Sequence, residues 1–344
     1  MLTVENAEPR ILVLGVNGQV GWELLSTLRG LGRIIPAARG PERMTAAGRS
    51  LSLDIADADA LRAALQAVQP QLIINAAAYT AVDKAESEPE LAFQVNAAAP
   101  GVLAEQARLL NAGLIHYSTD YVFDGSGSAA WKESDATNPL SVYGRSKLAG
   151  ERAIQAAGGA YLILRTSWVY GAHGNNFVKS MLRLGRERTS LSIVCDQIGA
   201  PTSARCVAQA TAQIVAQARG RIAGMLADDG GLAHLTCAGE TSWHGFAEAI
   251  FRLAAARGAE LAVRDVKPIA THEYPLPARR PANSRLDCHL LRERYAVEPP
   301  GWESALATTF PQLYDAWLAE SRGPRPPHLL SHQNLERRSS PSAY

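Results

Sequence analysis

Between the apolar run RILVLG and the amphipathic run QVGWELLSTLRGLG stands a turn with a glycine at every third position, Gly15-Val16-Asn17-Gly18-Gln19-Val20-Gly21. The first run predicts a buried strand and the second a helix, so the segment reads as strand, tight turn, helix. Small residues at such a turn let the backbone bend sharply and the helix pack close to the strand. They also let the helix N-terminus offer its N–H groups and positive potential to a pyrophosphate. Gly15, Gly18, Gln19, Val20 and Gly21 are therefore candidate cofactor contacts. The alternation continues: RIIPA and SLSL as strands, DADALRAALQAV as a helix and QLIINAAA as a strand. PELAFQVNAAAPGVLAEQARLLNA follows as one long helix, LIHYS as a strand, a helix after Asn138-Pro139, and AYLILRTSWVYG as the strand that closes the sheet.

Strands alternating with helices give a parallel sheet covered on both faces, so the fold class is α/β, a Rossmann-like doubly wound parallel sheet. A dinucleotide-binding domain is expected over 10–170 and a smaller C-terminal α/β substrate lobe, interleaved with it, over 171–322. Residues 1–9 read as an N-terminal extension, and 323–344, rich in Pro, Ser and Arg, as a flexible tail. With 34 basic and 33 acidic residues the net charge is +1, which points to neither nucleic acid nor a membrane surface as a partner. Four cysteines without Cys-x-x-Cys spacing fit a reducing cytoplasm. No basic cluster followed by an apolar core opens the chain, and no apolar run reaches membrane-spanning length.

Cofactor choice is usually made just past the second strand. Arg39 stands there and favours the 2′-phosphate of NADPH, with NADH as the alternative if Arg39 is only a loop arginine. Asp54 could meet the adenine edge or cap the next helix. Ala76, Ala77 and Ala78 are small where a cofactor would cross the sheet edge. Farther on, Tyr143 and Lys147 are four residues apart in the first turns of a helix and so share one face. An ammonium beside a phenol is expected to pull the tyrosine below its free pKa of ~10, making it a tuned acid. Thr119 and Asp120 end a strand on the same edge, where a hydroxyl can bond a substrate oxygen that becomes negative.

GQVGWEL, NAAAYTAVDKAESEPE, HYSTDYVFDG, YGRSKLAGE, RTSWVYG, GNNFVKSMLRL, DQIGAPT and PARRPANSRLD together resemble the dTDP-4-dehydrorhamnose reductase family. That family is a branch of the extended short-chain dehydrogenase/reductases. The resemblance implies reduction of the C4 ketone of dTDP-4-dehydro-L-rhamnose by NAD(P)H, the last step of dTDP-rhamnose synthesis for cell-surface polysaccharide. It implies Tyr143, Lys147 and Thr119 as catalytic residues, with Lys147 also holding the nicotinamide ribose. Carried over residue by residue, it puts Gly18, Gln19 and Val20 on the pyrophosphate and Asp54 and Ile55 at the adenine. Ala78, Tyr79 and Thr80 fall at the ribose, Tyr117 along the groove, and Thr119, Asp120 and Trp168 on the substrate. Asn176 and the Arg279–Arg280 pair are further substrate candidates, since guanidinium groups suit a diphosphate.

Some members of that family place acidic side chains around magnesium at a dimer interface. One such position here is Arg205, and a cation cannot ligate a cation; Glu23 alone remains. No metal is therefore expected, and the chain should be a monomer or a weak homodimer. HEYPL, from His272, lacks the second histidine of a zinc motif. The rival readings are another sugar-nucleotide reductase, epimerase or dehydratase of the same superfamily, and a non-catalytic nucleotide-binding regulatory subunit. Tyr121, standing where a dehydratase carries glutamate, argues against elimination.

Overall fold

RILVL forms β1 (Arg10–Leu14), whose alternate residues feed two cores, Ile11 and Val13 on one face and Leu12 and Leu14 on the other. A computed structural model describes residues 8–322. Most of the expected extension and the whole expected tail lie outside the described residues. Helix α1 (Gln19–Thr27) leads to β2 (Arg33–Ala38) and the short β3 (Leu51–Ser52), and α2 (Ala58–Val68) to β4 (Leu72–Asn75). Next come α3 (Ala99–Leu109), β5 (Gly113–Thr119), α4 (Val142–Ala157) and β6 (Tyr161–Thr166). These strands are joined by a seventh, β7 (Gly231–His234), in the order β7-β6-β5-β4-β1-β2-β3. Every neighbouring pair is parallel. The strand order reverses between β1 and β4, the crevice where open parallel sheets bind ligands.

Three local expectations are corrected. The run 160–171 does not close the sheet: β6 ends at Thr166, and β7, from much later in the chain, pairs outside it from Gly231 against Leu162 to His234 against Arg165. The break comes at Trp168, whose φ of +49° no extended strand can hold, and Val169–Tyr170 pairs instead with Thr202–Ser203. The long helix before α3 is also interrupted. Pro89–Phe93 passes into a π-helical turn, Gln94–Ala98, before α3 begins. Pro100 has no N–H for the Asn96 carbonyl four residues back. That carbonyl lies instead so close to Gly150 of α4 that a Cβ there would be 2.0 Å from it.

One sheet face is covered by α1 and by α6 (Ala204–Gln217), the other by α2, α3 and Ile154 of α4. The second half of the chain is thus woven into the first. Its own core packs α5 (Phe177–Glu187), α7 (Trp243–Ala256) and α8 (Trp302–Arg322) around Phe246, Ile250 and Phe310. Beside them Ser190–Val194 pairs in parallel with Asp265–Ile269. Among the described residues no helix is long and apolar enough to cross a membrane.

Candidate active site

The glycine turn closes on itself. Gly15 has φ +81° and donates its N–H to the Ala37 carbonyl at 2.8 Å; a Cβ there would lie 2.6 Å from the Ala77 nitrogen. Gly21 faces it from α1, where a Cβ would come within 2.2 Å of the Gly15 oxygen. Both positions thus exclude a side chain, one by conformation and crowding, the other by crowding alone. Gly18 caps α1, and no side chain bonds the first-turn amides. The end of α1 is a cradle whose N–H groups, at Gln19 and Val20 among others, can meet an anion.

Around it, Arg39 is exposed just past β2, and its carbonyl accepts from Asn17 Nδ2 at 3.4 Å. Asp54 is exposed beside buried Ile55 and accepts from the Ala56 N–H at 3.0 Å. It does not cap α2: Asp57 does, accepting from Asp59 and Ala60. Ala78 and Tyr79 are half-buried after β4 and Thr80 is exposed. The Tyr79 hydroxyl donates to Glu88 at 2.9 Å, and burial, reinforced by that carboxylate, pushes it up to about 12. Tyr117 does not line the crevice with its ring. That ring lies in the core, its hydroxyl 2.8 Å from Thr211 Oγ1, and burial raises its pKa.

Helix α4 starts as its sequence predicts. Ser141 Oγ accepts from the Gly144 N–H at 3.1 Å, and Glu86 Oε1 accepts from the Val142 N–H at 2.8 Å. Gly144 packs where a Cβ would be 2.2 Å from the Tyr121 oxygen, so α4 approaches the turn after Thr119 closely enough to bring phenol and hydroxyl together. Burial raises Tyr143 to about 12; a hydrogen bond with Thr119 lowers it and the charge of Asp120 raises it, both by less. Asp120 Oδ1, 3.1 Å from Thr119 Oγ1, competes with Tyr143 for that hydroxyl's one proton, and burial lifts Asp120 to about 6.

Lys147 does not act on Tyr143 as expected. The residue is 2 % exposed, and its Nζ donates to the Tyr117 carbonyl at 2.7 Å and lies 3.1 Å from His116 Nε2. Burial pushes Lys147 itself down to about 8. Desolvation governs the tyrosine here, and the Lys147 amino group that was to offset it is directed elsewhere.

Beyond Tyr121 opens a cavity of ≈ 600 Å³, lined otherwise by residues of the second half of the chain. Trp243 forms part of its wall and stacks on Trp168 at 3.6 Å and 11°. That stack accompanies the left-handed backbone of Trp168. Of the predicted substrate residues, Arg279 is exposed on this cavity. Arg280 is bound bidentately by Asp83 at 3.0 and 2.8 Å. Asn176 and Arg280 also line the cavity; Asn176 Oδ1 caps α5 at Lys179, and its Nδ2 donates to Gln19 Oε1 and the Gly171 carbonyl. Glu23 and Arg205 share a separate hollow, where burial raises the Glu23 pKa and Arg205 opposes the rise. Among the described residues no group of three or more His, Cys, Asp or Glu could hold a metal ion.

A family model described as the RmlD substrate binding domain matches residues 9–314. A curated dTDP-4-dehydrorhamnose reductase of Burkholderia thailandensis is 47 % identical over 300 residues, covering 86 % of this chain and 96 % of the relative. The chain belongs to the dTDP-4-dehydrorhamnose reductase family. Another reductase of that name, from Escherichia coli K12, is 42 % identical over 304 residues, covering 88 % and 98 %. The crystal structure of the Bacillus anthracis dTDP-4-dehydrorhamnose reductase, in complex with NADP, superposes with a TM-score of 0.77 at 34 % identity, covering 89 % of this chain and 99 % of that one. A Thermus thermophilus UDP-glucose 4-epimerase, 20 % identical with a TM-score of 0.69 and coverage of 89 % and 99 %, shares the fold.

Several residues of this dTDP-4-dehydrorhamnose reductase family member escaped sequence reasoning. Asn96 is buried and clasps Tyr79, accepting from its N–H at 2.8 Å and donating to its carbonyl at 3.0 Å; it also donates to Ser146 Oγ. Glu151 and Arg165 form a buried bidentate pair behind Lys147, at 2.9 and 2.6 Å. Asp83 and Trp243 were also missed. The available signal was polarity out of place: His116 within LIHYS and Asn96 within a helix that otherwise packs.

Proposed function

We propose that this protein reduces the C4 ketone of dTDP-4-dehydro-L-rhamnose with NADPH, NADH being the alternative donor, to give dTDP-L-rhamnose. The observation that carries the reading is the Tyr143–Thr119 pair at the end of β5, with Tyr143 against Tyr121, which lines the ≈ 600 Å³ cavity. The residues fit a dinucleotide: Gly15 and Gly21 exclude side chains from the turn, and the first amides of α1 carry no side-chain cap. Gln19 and Val20 would hold its pyrophosphate and Arg39 its 2′-phosphate. Asp54 and Ile55 would meet the adenine, and Ala78, Tyr79, Thr80 and Lys147 the riboses. When bound, the nicotinamide supplies the hydride.

The chain's own part is to place the ketone and protonate the oxygen. Tyr143, raised to about 12, is a phenol at neutral pH and so holds the proton a reduction needs. Thr119 hydrogen-bonds the same oxygen, Asp120 and Trp168 border the sugar, and Arg279 takes the diphosphate. Arg280, through Asp83, shapes the loop that presents Arg279. All four cysteines are free, which suits the cytoplasm we assign to the reaction.

The test supplies the keto sugar from coupled dehydratase and epimerase and follows nicotinamide absorbance. Consumption of NADPH with formation of dTDP-L-rhamnose is expected. NADPH that binds but is not oxidised would instead make the chain a regulatory subunit.

A further inference from the structure

Four contacts form a chain whose donors and acceptors can be assigned in turn from its fixed end. The Ala77 N–H, which can only donate, reaches Asn75 Oδ1 at 3.2 Å. That fixes the Asn75 amide, so the group 3.0 Å from His116 Nδ1 is its Nδ2, also a donor only. Nδ1 must therefore be the bare nitrogen of the ring. A neutral imidazole with a bare Nδ1 carries its proton on Nε2. The partner of Nε2, at 3.1 Å, is Lys147 Nζ. An ammonium has no lone pair and would set N–H against N–H; an amine accepts from Nε2–H and still donates to the Tyr117 carbonyl at 2.7 Å.

We propose that His116, fixed by Asn75 as its Nε2–H tautomer, holds Lys147 as an uncharged amine, and that a nicotinamide dinucleotide draws a proton onto Lys147 as it binds. His116 is a positioning residue, acting through Lys147. The second half rests on the reading of Lys147 as a ribose-binding residue: hydroxyl lone pairs give a charged Nζ partners away from His116, and the phosphates favour its charge.

The other charged and titratable groups near the pair leave the assignment standing. Glu151, one turn along α4, favours a charged Lys147, but both its oxygens are engaged by Arg165 from β6 and one also by Ser118 from β5. Asp120 acts on Tyr143, the Tyr117 phenol is turned to Thr211, and Tyr79 from the loop after β4 is paired with Glu88. His116, fully enclosed, is kept from charging by burial first and by Lys147 second. Burial also brings Lys147 down to about 8, so the amine dominates above that pH and the ammonium below it.

The test begins on the protein without dinucleotide, by nitrogen and carbon NMR of His116 and Lys147. The expected result is a proton on Nε2 of His116 and a Lys147 midpoint near 8. Asn75→Asp offers Nδ1 an acceptor in the same shape; it should move the proton to Nδ1 and raise the lysine midpoint by at least about one pH unit, tenfold in proton affinity. A proton on Nδ1 in the native protein, a Lys147 still charged at pH 10, or no response to Asn75→Asp would overturn the proposal. Calorimetry of NADPH binding at pH 9, in buffers of different protonation heat, should show uptake of more than half a proton per site, and none in His116→Gln, whose amide oxygen can accept from an ammonium. Binding without uptake by the native protein would overturn the second half. If Lys147→Met binds NADPH as tightly as the native chain, the ribose reading fails while the His116 result stands.

Discussion

Around Tyr143 burial outweighs charge, and the sign of that balance matches the direction of reaction. A reductase needs a proton on its acid before hydride arrives, and a tyrosine raised to about 12 stays protonated across the neutral range. Tyr143→Phe should fold and bind NADPH normally yet turn over at least ~100-fold more slowly, the usual scale for a positioned general acid; near-native turnover would take the tyrosine out of the chemistry. Arg39 is different in kind, since it is exposed and water competes with whatever it binds. Arg39→Ala should weaken NADPH about tenfold, the lower end of a charge-assisted hydrogen bond, and spare NADH. Equal losses for both cofactors in fluorescence titrations would show that Arg39 only shapes its loop.

Elements make the site through close approach, and their glycines are the means. Gly144 and Gly150 let α4 settle onto the 119–121 turn on one side and the π-turn on the other. Glu151 then anchors α4 to β6 through Arg165, with both side chains 2–3 % exposed. Removing one partner strands a buried charge, so Glu151→Ala should cost about 3–5 kcal/mol in urea unfolding, and Glu151→Leu with Arg165→Met should recover most of it. A loss under about 1 kcal/mol would mean water replaces the carboxylate. The alternation of strand and helix was legible because each run carries its own period. The interruptions were less so: Pro100 marks a missing N–H, but where the freed Asn96 carbonyl goes depends on Gly150 of α4, and the Trp168 break accompanies a ring stacked from α7. GLAH is four residues long, with nothing in its pattern to say which edge it joins.

At the scale of the molecule the glycine turn and the shared helix face of Tyr143 and Lys147 were legible from residue type and local spacing, whereas the partner that Lys147 takes, His116 on β5, was not. Of the cavity wall, Asn176, Arg279 and Arg280 were named from the sequence, but the contact that fixes Arg280 was not. Asp83 and Arg280 are 197 residues apart, and their pairing joins the segment after β4 to the loop that presents Arg279. Glu23 and Arg205, grouped already by the resemblance, do share one hollow. A guanidinium repels a divalent ion where a carboxylate would ligate it, so light scattering and activity should be unchanged by EDTA. A dimer that falls apart on chelation and returns with magnesium would show that other acids complete a site there. The lateness of β7 bears on how the chain is made. Until residue 234 has left the ribosome, β6 presents a bare row of N–H and C=O groups, the kind of edge that recruits strands from other chains. Nascent copies on one message are therefore most prone to stick to each other in the interval between the synthesis of β6 and that of β7, even though Tyr143 and Lys147 are already out.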